Sequence, residues 1–566
     1  MSETTAVLSP PQQGPGRRGA RGLLAVGASA LAVVLIAVGG FAAWQFFSEG
    51  GPHPAEVLPD STFALVTVDL DPSGGQKIEA IQTLRKFPSW KKRIGVNADD
   101  DLMKEIVERG LKASPCKSLD YEQDVQPWIG NRAGFGGVLL GDGNPAPVLV
   151  LQVKDAEKAE TGFAELARCT EVGDDGFGWT IRGDYIVGSD STSHAEAIAA
   201  AGKDAPLSSD ADFQKWTEEA GGPGIMNAYL GRTGVKVLAD GLVPEHGGLM
   251  GDSSAGSGSS GPTNEDFGWV ASGTDTGASG GAGRQGLVEV AGEQGMVGQR
   301  FGPDPSEQIT KALKDFKGAA AALRFADEGI EMSFAGGGLQ RAGDGNVADH
   351  VGALPADTAA VLALAVPEDA LRDLGGAKGG PFAPMQMLGA FTGLDLPQDL
   401  IDLLGSSLSL SLGADAPADL DAISGPGDLP IGALIHGDQA KIKKVIDKVV
   451  ARTGAQSSEL PVTVSSGDGK VAIATTSDYG DQLLEDGSLG ESKNFEEVVE
   501  NADDAQAVLY LSLENDWMDV VQKMAAQEDD ADAKEVADNL AVLRALGASA
   551  WSEGDTGHAK VRLALK

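Results

Sequence analysis

The sequence predicts an α+β fold: a single N-terminal transmembrane helix, then a duplicated α+β extracytoplasmic region with mainly antiparallel sheets. Three observations predict it. Leu23–Phe47 (LLAVGASALAVVLIAVGGFAAWQFF) holds no Asp, Glu, Lys or Arg. At about 1.5 Å per helical residue it is long enough to cross a hydrocarbon core of roughly 30 Å. Past it, β-branched and apolar runs alternate with helical runs across short turns, the pattern of antiparallel strands with helices on one face. Near Leu354 the order of elements starts again.

The apolar run is read as a helix because backbone groups in lipid must be satisfied within their own segment. Arg17, Arg18 and Arg21 precede it, and Glu49, Asp60, Asp69 and Asp71 follow before Lys77. Basic residues stay on the cytoplasmic side, so the N-terminus is expected inside, with Trp44, Phe46 and Phe47 in the outer interfacial belt. A cleaved signal peptide has an apolar region of about 7–15 residues. This one is longer, and Gly40–Trp44 (GFAAW) makes a poor cleavage site. The expected location is the cell membrane, with one pass, a disordered basic cytoplasmic tail at 1–22, the span at 23–47 and a linker at 48–57. The lipid bilayer is then the first partner.

Acids number 83 against 44 Lys plus Arg, a net charge of -39. That balance excludes nucleic acid, whose phosphates require cationic contacts, and it repels an anionic membrane surface. Two cysteines occur, Cys116 and Cys169. They form a possible disulfide in an oxidising compartment; the alternative is two buried thiols.

Thr62–Leu70 (TFALVTVDL) reads as a strand, and Asp69–Gly75 turns the chain into a helix, Gln76–Phe87. The EF-hand pattern would need Glu at the position of Ala80, so capping accounts for these acids better. Helices follow at Asp101–Leu111 and Tyr121–Ile129. Next come strands Gly134–Leu140 and Pro147–Val153, then a helix Ala156–Cys169. Phe177–Ile181 and Tyr185–Ser189 form a hairpin turned at Arg182-Gly183-Asp184, where Gly and Asp are turn residues rather than an adhesion signal. Helices Ser193–Ala201 and Asp210–Glu219 lead to a strand Gly224–Leu230 and a helix from Gly234 to Leu242. A Gly/Ser-rich insertion spans about 246–302. A helix Ser306–Phe316 and the hairpin Ala319–Phe325, Ile330–Ala335 complete a first unit, 58–338.

After a linker at 339–353, a second unit, 354–566, repeats the series. Leu58-Pro59-Asp60-Ser61-Thr62 is echoed by Leu354-Pro355-Ala356-Asp357-Thr358. Trp128–Asn131 corresponds to Leu403–Ser406, and Pro147–Val153 to Pro430–His436. Asp212-Phe213 answers to Asn494-Phe495, and Ala228-Tyr229-Leu230 to Leu509-Tyr510-Leu511. A hairpin closes each unit, the second at Gly547–Leu565.

Candidate chemistry is sparse. The histidines His53, His194, His246, His350, His436 and His558 form no HExxH and no pair at metal-ligand spacing. His436 with Asp438 stands at a strand end. Gly281–Gly286 fits GxGxxG but lacks the strand before and the helix after. Gly251–Gly256 resembles a serine-hydrolase loop without a strand-to-helix turn. No catalytic, cofactor or metal residues are assigned, and no cofactor is expected.

The run Leu58–Pro88, LPDSTFALVTVDLDPSGGQKIEAIQTLRKFP, resembles the opening of the DUF3352 family, actinobacterial proteins of unknown function. The likeness is most specific at Val68–Lys77 and extends diffusely over residues 55–566, outside the insertion. The resemblance implies a membrane-anchored envelope protein and brings no activity or ligand. The residues point to a non-enzymatic module that binds an unknown envelope protein, lipid or glycan, with a cleft between the two units as the expected site. The alternative is an extracytoplasmic hydrolase acting on an envelope component.

Overall fold

Alternating side chains decide the architecture. The computed structural model describes residues 53–69, 74–88, 102–169, 177–242, 315–326, 329–338, 346–368, 371–372, 393–415, 426–453, 462–514, 517–518 and 531–566. The tail at 1–22, the span at 23–47, the insertion at about 246–302 and most of Ser306–Phe316 lie outside them. Among the described residues no helix is long and apolar enough to cross a membrane.

The first eight strands are β1 (Thr62–Asp69), β2 (Ile129–Leu139), β3 (Pro145–Val153), β4 (Gly178–Arg182), β5 (Tyr185–Ser189), β6 (Met226–Gly231), β7 (Gly318–Ala326) and β8 (Gly329–Gly337). The next eight are β9 (Ala360–Ala365), β10 (Ser407–Leu412), β11 (Ile431–His436), β12 (Thr463–Gly467), β13 (Lys470–Ala474), β14 (Ala507–Ser512), β15 (Leu543–Glu553) and β16 (Thr556–Leu565). They form one sheet in the order β12-β13-β11-β10-β9-β14-β15-β16-β8-β7-β6-β1-β2-β3-β5-β4. The protein is thus α+β around a large antiparallel sheet. Each set of eight runs in the same order from its outer edge, β4-β5-β3-β2-β1-β6-β7-β8 and β12-β13-β11-β10-β9-β14-β15-β16. The sets meet where β8 pairs with β16. Ser333 stands opposite Lys560 there, each the fifth residue of its strand.

Paired residues of an antiparallel ladder share a face. One register row crosses the whole sheet. From β12 to β14 it runs Val464, Ile473, Ala433, Leu410, Leu362, Leu509. Through β15, β16, β8, β7 and β6 it continues as Ala548, Val561, Met332, Leu323, Met226. It ends with Val68, Ala133, Leu151, Ile186 and Ile181. Every member is apolar. The opposite face mixes its residues: Asn227, Ser333, Lys560 and Ser549 lie in one row there.

Helices cover both faces at the outer strands, where one face was expected. On β3, Val148 and Val150 join the core with Ile198 and Trp216, while Leu149, Leu151 and Val153 join the one with Trp128 and Phe163. β11 does the same, Leu434 packing with Tyr479 and Leu483 and Ile435 with Ile442 and Ile446. The reason is in the sequence: β3 (PAPVLVLQV) is apolar at consecutive positions, as a strand buried on both faces must be. The central strands alternate instead, and β9 reads buried and exposed by turns from Val361 to Ala365.

Two boundaries also differ. β2 starts at Ile129, five residues before the expected strand, through an irregular stretch between Ile129 and Ala133. The preceding helix shrinks to a π turn, Tyr121–Val125, held by the Asp120 side chain accepting from Gln123 N–H. Ala55 and Val57, in the stretch read as linker, are core residues, and so are Val347 and Val351.

Candidate functional site

A cavity of about 210 Å³ lies beside the sheet in the first set of strands, between β1, β6 and β7 and the helix Ala211–Glu219. Its walls are apolar for a compositional reason. β7 carries Ala319-Ala320-Ala321-Ala322, and the inward Ala320 and Ala322 are too short to fill the space beneath the helix. Phe213 and Tyr229 close one side as an edge-to-face pair, ring centroids 5.1 Å apart. The second set of strands has the same aromatic pair, Phe495 and Tyr510, at 5.3 Å. There Gly547 lets the helix Lys493–Val498 down onto the sheet, since a Cβ on it would lie 2.3 Å from the Val498 carbonyl oxygen. The Ala320-for-Gly547 difference holds the helix off in one half only.

Polar groups are few. Asn227 is anchored by its own neighbours, Oδ1 accepting from Gly224 N–H at 2.7 Å and Nδ2 donating to Gly224 O at 3.0 Å. At the rim, Glu56 accepts from His53 N–H at 2.9 Å, and His53 Nδ1 accepts from Ala55 N–H at 3.4 Å. The neutral ring therefore carries its proton on Nε2. Burial, aided by Arg132, holds His53 below the usual histidine range. The cavity offers a mostly hydrocarbon surface, with Asn227 in its wall and the Glu56 carboxylate and His53 imidazole at its mouth.

The corner next to His53 has counterparts with different chemistry in the two halves. Asp69, the last residue of β1, stands opposite Arg132 and accepts from its Nε at 2.9 Å, where Ala365, the last of β9, stands opposite Ser407. Tyr185 opens β5 as Lys470 opens β13. The second corner holds His350 and His436, stacked with centroids 3.5 Å apart and planes at 7°. The buried Ser407 hydroxyl serves both rings, 2.6 Å from His350 Nδ1 and 3.4 Å from His436 Nδ1. Burial, then His350 and Lys470, push His436 down to about 4.

The residues singled out from sequence fall elsewhere. Cys116 and Cys169 are joined as a disulfide, Cα atoms 5.2 Å apart, tying the helix Ala156–Cys169 to the loop after Leu102–Ala113. His194 sits near the start of the helix Thr192–Asp204, its Nδ1 2.5 Å from Asp190 Oδ1. Ser191 there is occupied as the helix cap, accepting from His194 N–H. His558 is on β16, stacked on Trp551 at 5.3 Å. So His194, His436 and His558 occupy three separate places, and His436 meets His350 rather than Asp438, whose carboxylate caps the helix Gln439–Thr453. Arg182 of the RGD turn folds back to donate to Val57 O at 2.7 Å. His246 and the two glycine-rich motifs lie outside the described residues. Among the described residues, no three His, Cys, Asp or Glu gather as a metal set.

Among the described residues no cleft parts the halves: an eight-residue ladder, Gly337–Thr556 to Ile330–Leu563, joins them as one sheet. The cavity lies inside the first half. The signal for it was present in the four-alanine run, but only the fold shows which alanines face a helix.

Fold and site define a class, an α+β protein built on one antiparallel sheet with a helix-roofed apolar pocket. Residues 28–172 match the DUF3352 family model, described as a protein of unknown function. The match contains the Leu58–Pro88 run but stops far short of residue 566. No curated protein and no solved structure matches the chain.

Proposed function

We propose that this is a single-pass membrane protein of the cell envelope whose extracytoplasmic body, a duplicated α+β unit, binds an apolar ligand without transforming it. The observation that carries the reading is the cavity of about 210 Å³ under the helix Ala211–Glu219. It is smaller than the roughly 300 Å³ at which ligand pockets usually begin, so it suits a hydrocarbon segment better than a glycan. The shared strand order supports the duplication. The uncharged stretch 23–47 supports the anchor, and the disulfide supports an oxidising compartment.

Native mass spectrometry of the full chain, released from detergent and paired with lipid analysis, tests the reading. The wild type is expected to carry a bound apolar molecule, and Ala320→Leu, which fills the cavity, to carry less. Bare mass for both proteins sinks the proposal. The hydrolase alternative gains nothing from three histidines in three places.

A further inference from the structure

Among the described residues, nine large apolar side chains on the strands are well exposed, Val66, Phe334 and Leu410 among them. All nine point to the same face of the sheet, the one that carries the continuous apolar row. Between the helices that flank this face, from β10 across to β1, its positions include no charged residue, although 22% of the chain is charged. Nine strands at about 4.8 Å spacing make a floor about 40 Å wide. Part of it is covered, with Phe325, Leu543 and Leu565 buried, and the rest is open at the nine exposed side chains.

The floor is a trough with margins. On one side stand Gln398–Leu404 and Gln439–Thr453, packed on Leu408 and Ile435. Gly74–Lys86 crosses one end as a strap. Gln76 holds the β7 backbone at Phe325, and Phe87 packs against the cluster of Leu513, Met518, Leu543 and Leu565 in the other half.

Two of these margins are basic in a chain of charge -39, while the helix Ala531–Leu540, which meets the same face through Leu540, is acidic. Gln439–Thr453 has five basic residues against Asp447, and Gly74–Lys86 has three against Glu79. Asp399 and Asp402 take Lys448 and Lys441, while Lys443 and Lys444 stand exposed. Lys444 lies near Asp399 of the adjoining helix Gln398–Leu404.

We infer that the trough receives an anionic phospholipid, its acyl chains on the uncharged floor and its phosphate at Lys443 and Lys444. This site is on the opposite face from the cavity and stands or falls separately. The test is photo-crosslinking of the full chain in detergent with phosphatidylglycerol bearing a diazirine acyl chain, against phosphatidylcholine bearing the same chain. Phosphatidylglycerol is expected to label peptides containing Leu362 and Leu509. Labelling should fall about tenfold in the Lys443→Glu, Lys444→Glu double variant and disappear in Leu362→Glu. Ala320→Leu should leave it intact. Labels at Phe213 and Tyr229 only, or no label, would overturn the trough. Equal labelling by both lipids, unchanged in the lysine variant, would overturn the headgroup assignment.

Discussion

His436 shows how one position acquires a property from its surroundings. Its ring lies against His350 over a shared hydroxyl, so a proton on it would face a second imidazole and Lys470. Its folded pKa, about 4, is below the ordinary 6.5. The unfolded chain therefore binds the proton first as pH falls, and stability drops between about 6.5 and 4 and is unaffected above that window. Urea midpoints of wild type and His436→Gln, followed across those pH values, should show the wild type losing ground to the variant. A constant difference would contradict the assignment. His53 has the same sign for the same leading cause, burial.

At the scale of elements, small residues set the distances. The helix Ala156–Cys169 approaches the sheet at Gly162, where a Cβ would lie 2.2 Å from Trp128 Nε1. That indole donates to Asp124 O at 2.6 Å, so it has nowhere to retreat. Gly162→Ala is expected to cost about 1–3 kcal/mol through overpacking, read as a lower denaturant midpoint. An unchanged midpoint would mean the indole can move. The same logic explains the cavity: Ala320 spaces its helix away and Gly547 admits one. The elements themselves were legible. Ala156–Cys169 and Tyr185–Ser189 match their sequence ranges, because their apolar periodicity is strong. Ile129–Ala133 was misjudged because IGNRA has no strand period, and its pairing is supplied by β3.

For the whole molecule, the seam matters most. Arg562 stands opposite Glu331 across it. Glu331 is also 3.6 Å from Arg324 and 3.7 Å from Lys560, and Glu500 accepts from Lys560 and Arg562. A continuous ladder flanked by such pairs predicts one cooperative unfolding transition for both halves. Met332→Pro, which removes a β8 donor to β16 in the middle of the seam, is expected to split it into two in calorimetry. Two transitions in the wild type would show that the halves unfold independently.

By itself the sequence determined the α+β class, the antiparallel pairing and nearly every element, because these depend on local period and turn chemistry. It also marked residues 58–88 as DUF3352-like. Only the tertiary structure decided that the two runs of strands fuse into one sheet, that His350 meets His436, and that a cavity opens over Ala320. It alone placed every well-exposed apolar strand residue on one face. Strand period assigns a residue to one of two faces but does not say what lies across from it. Those properties belong to pairings between residues distant in the chain, which no local pattern encodes.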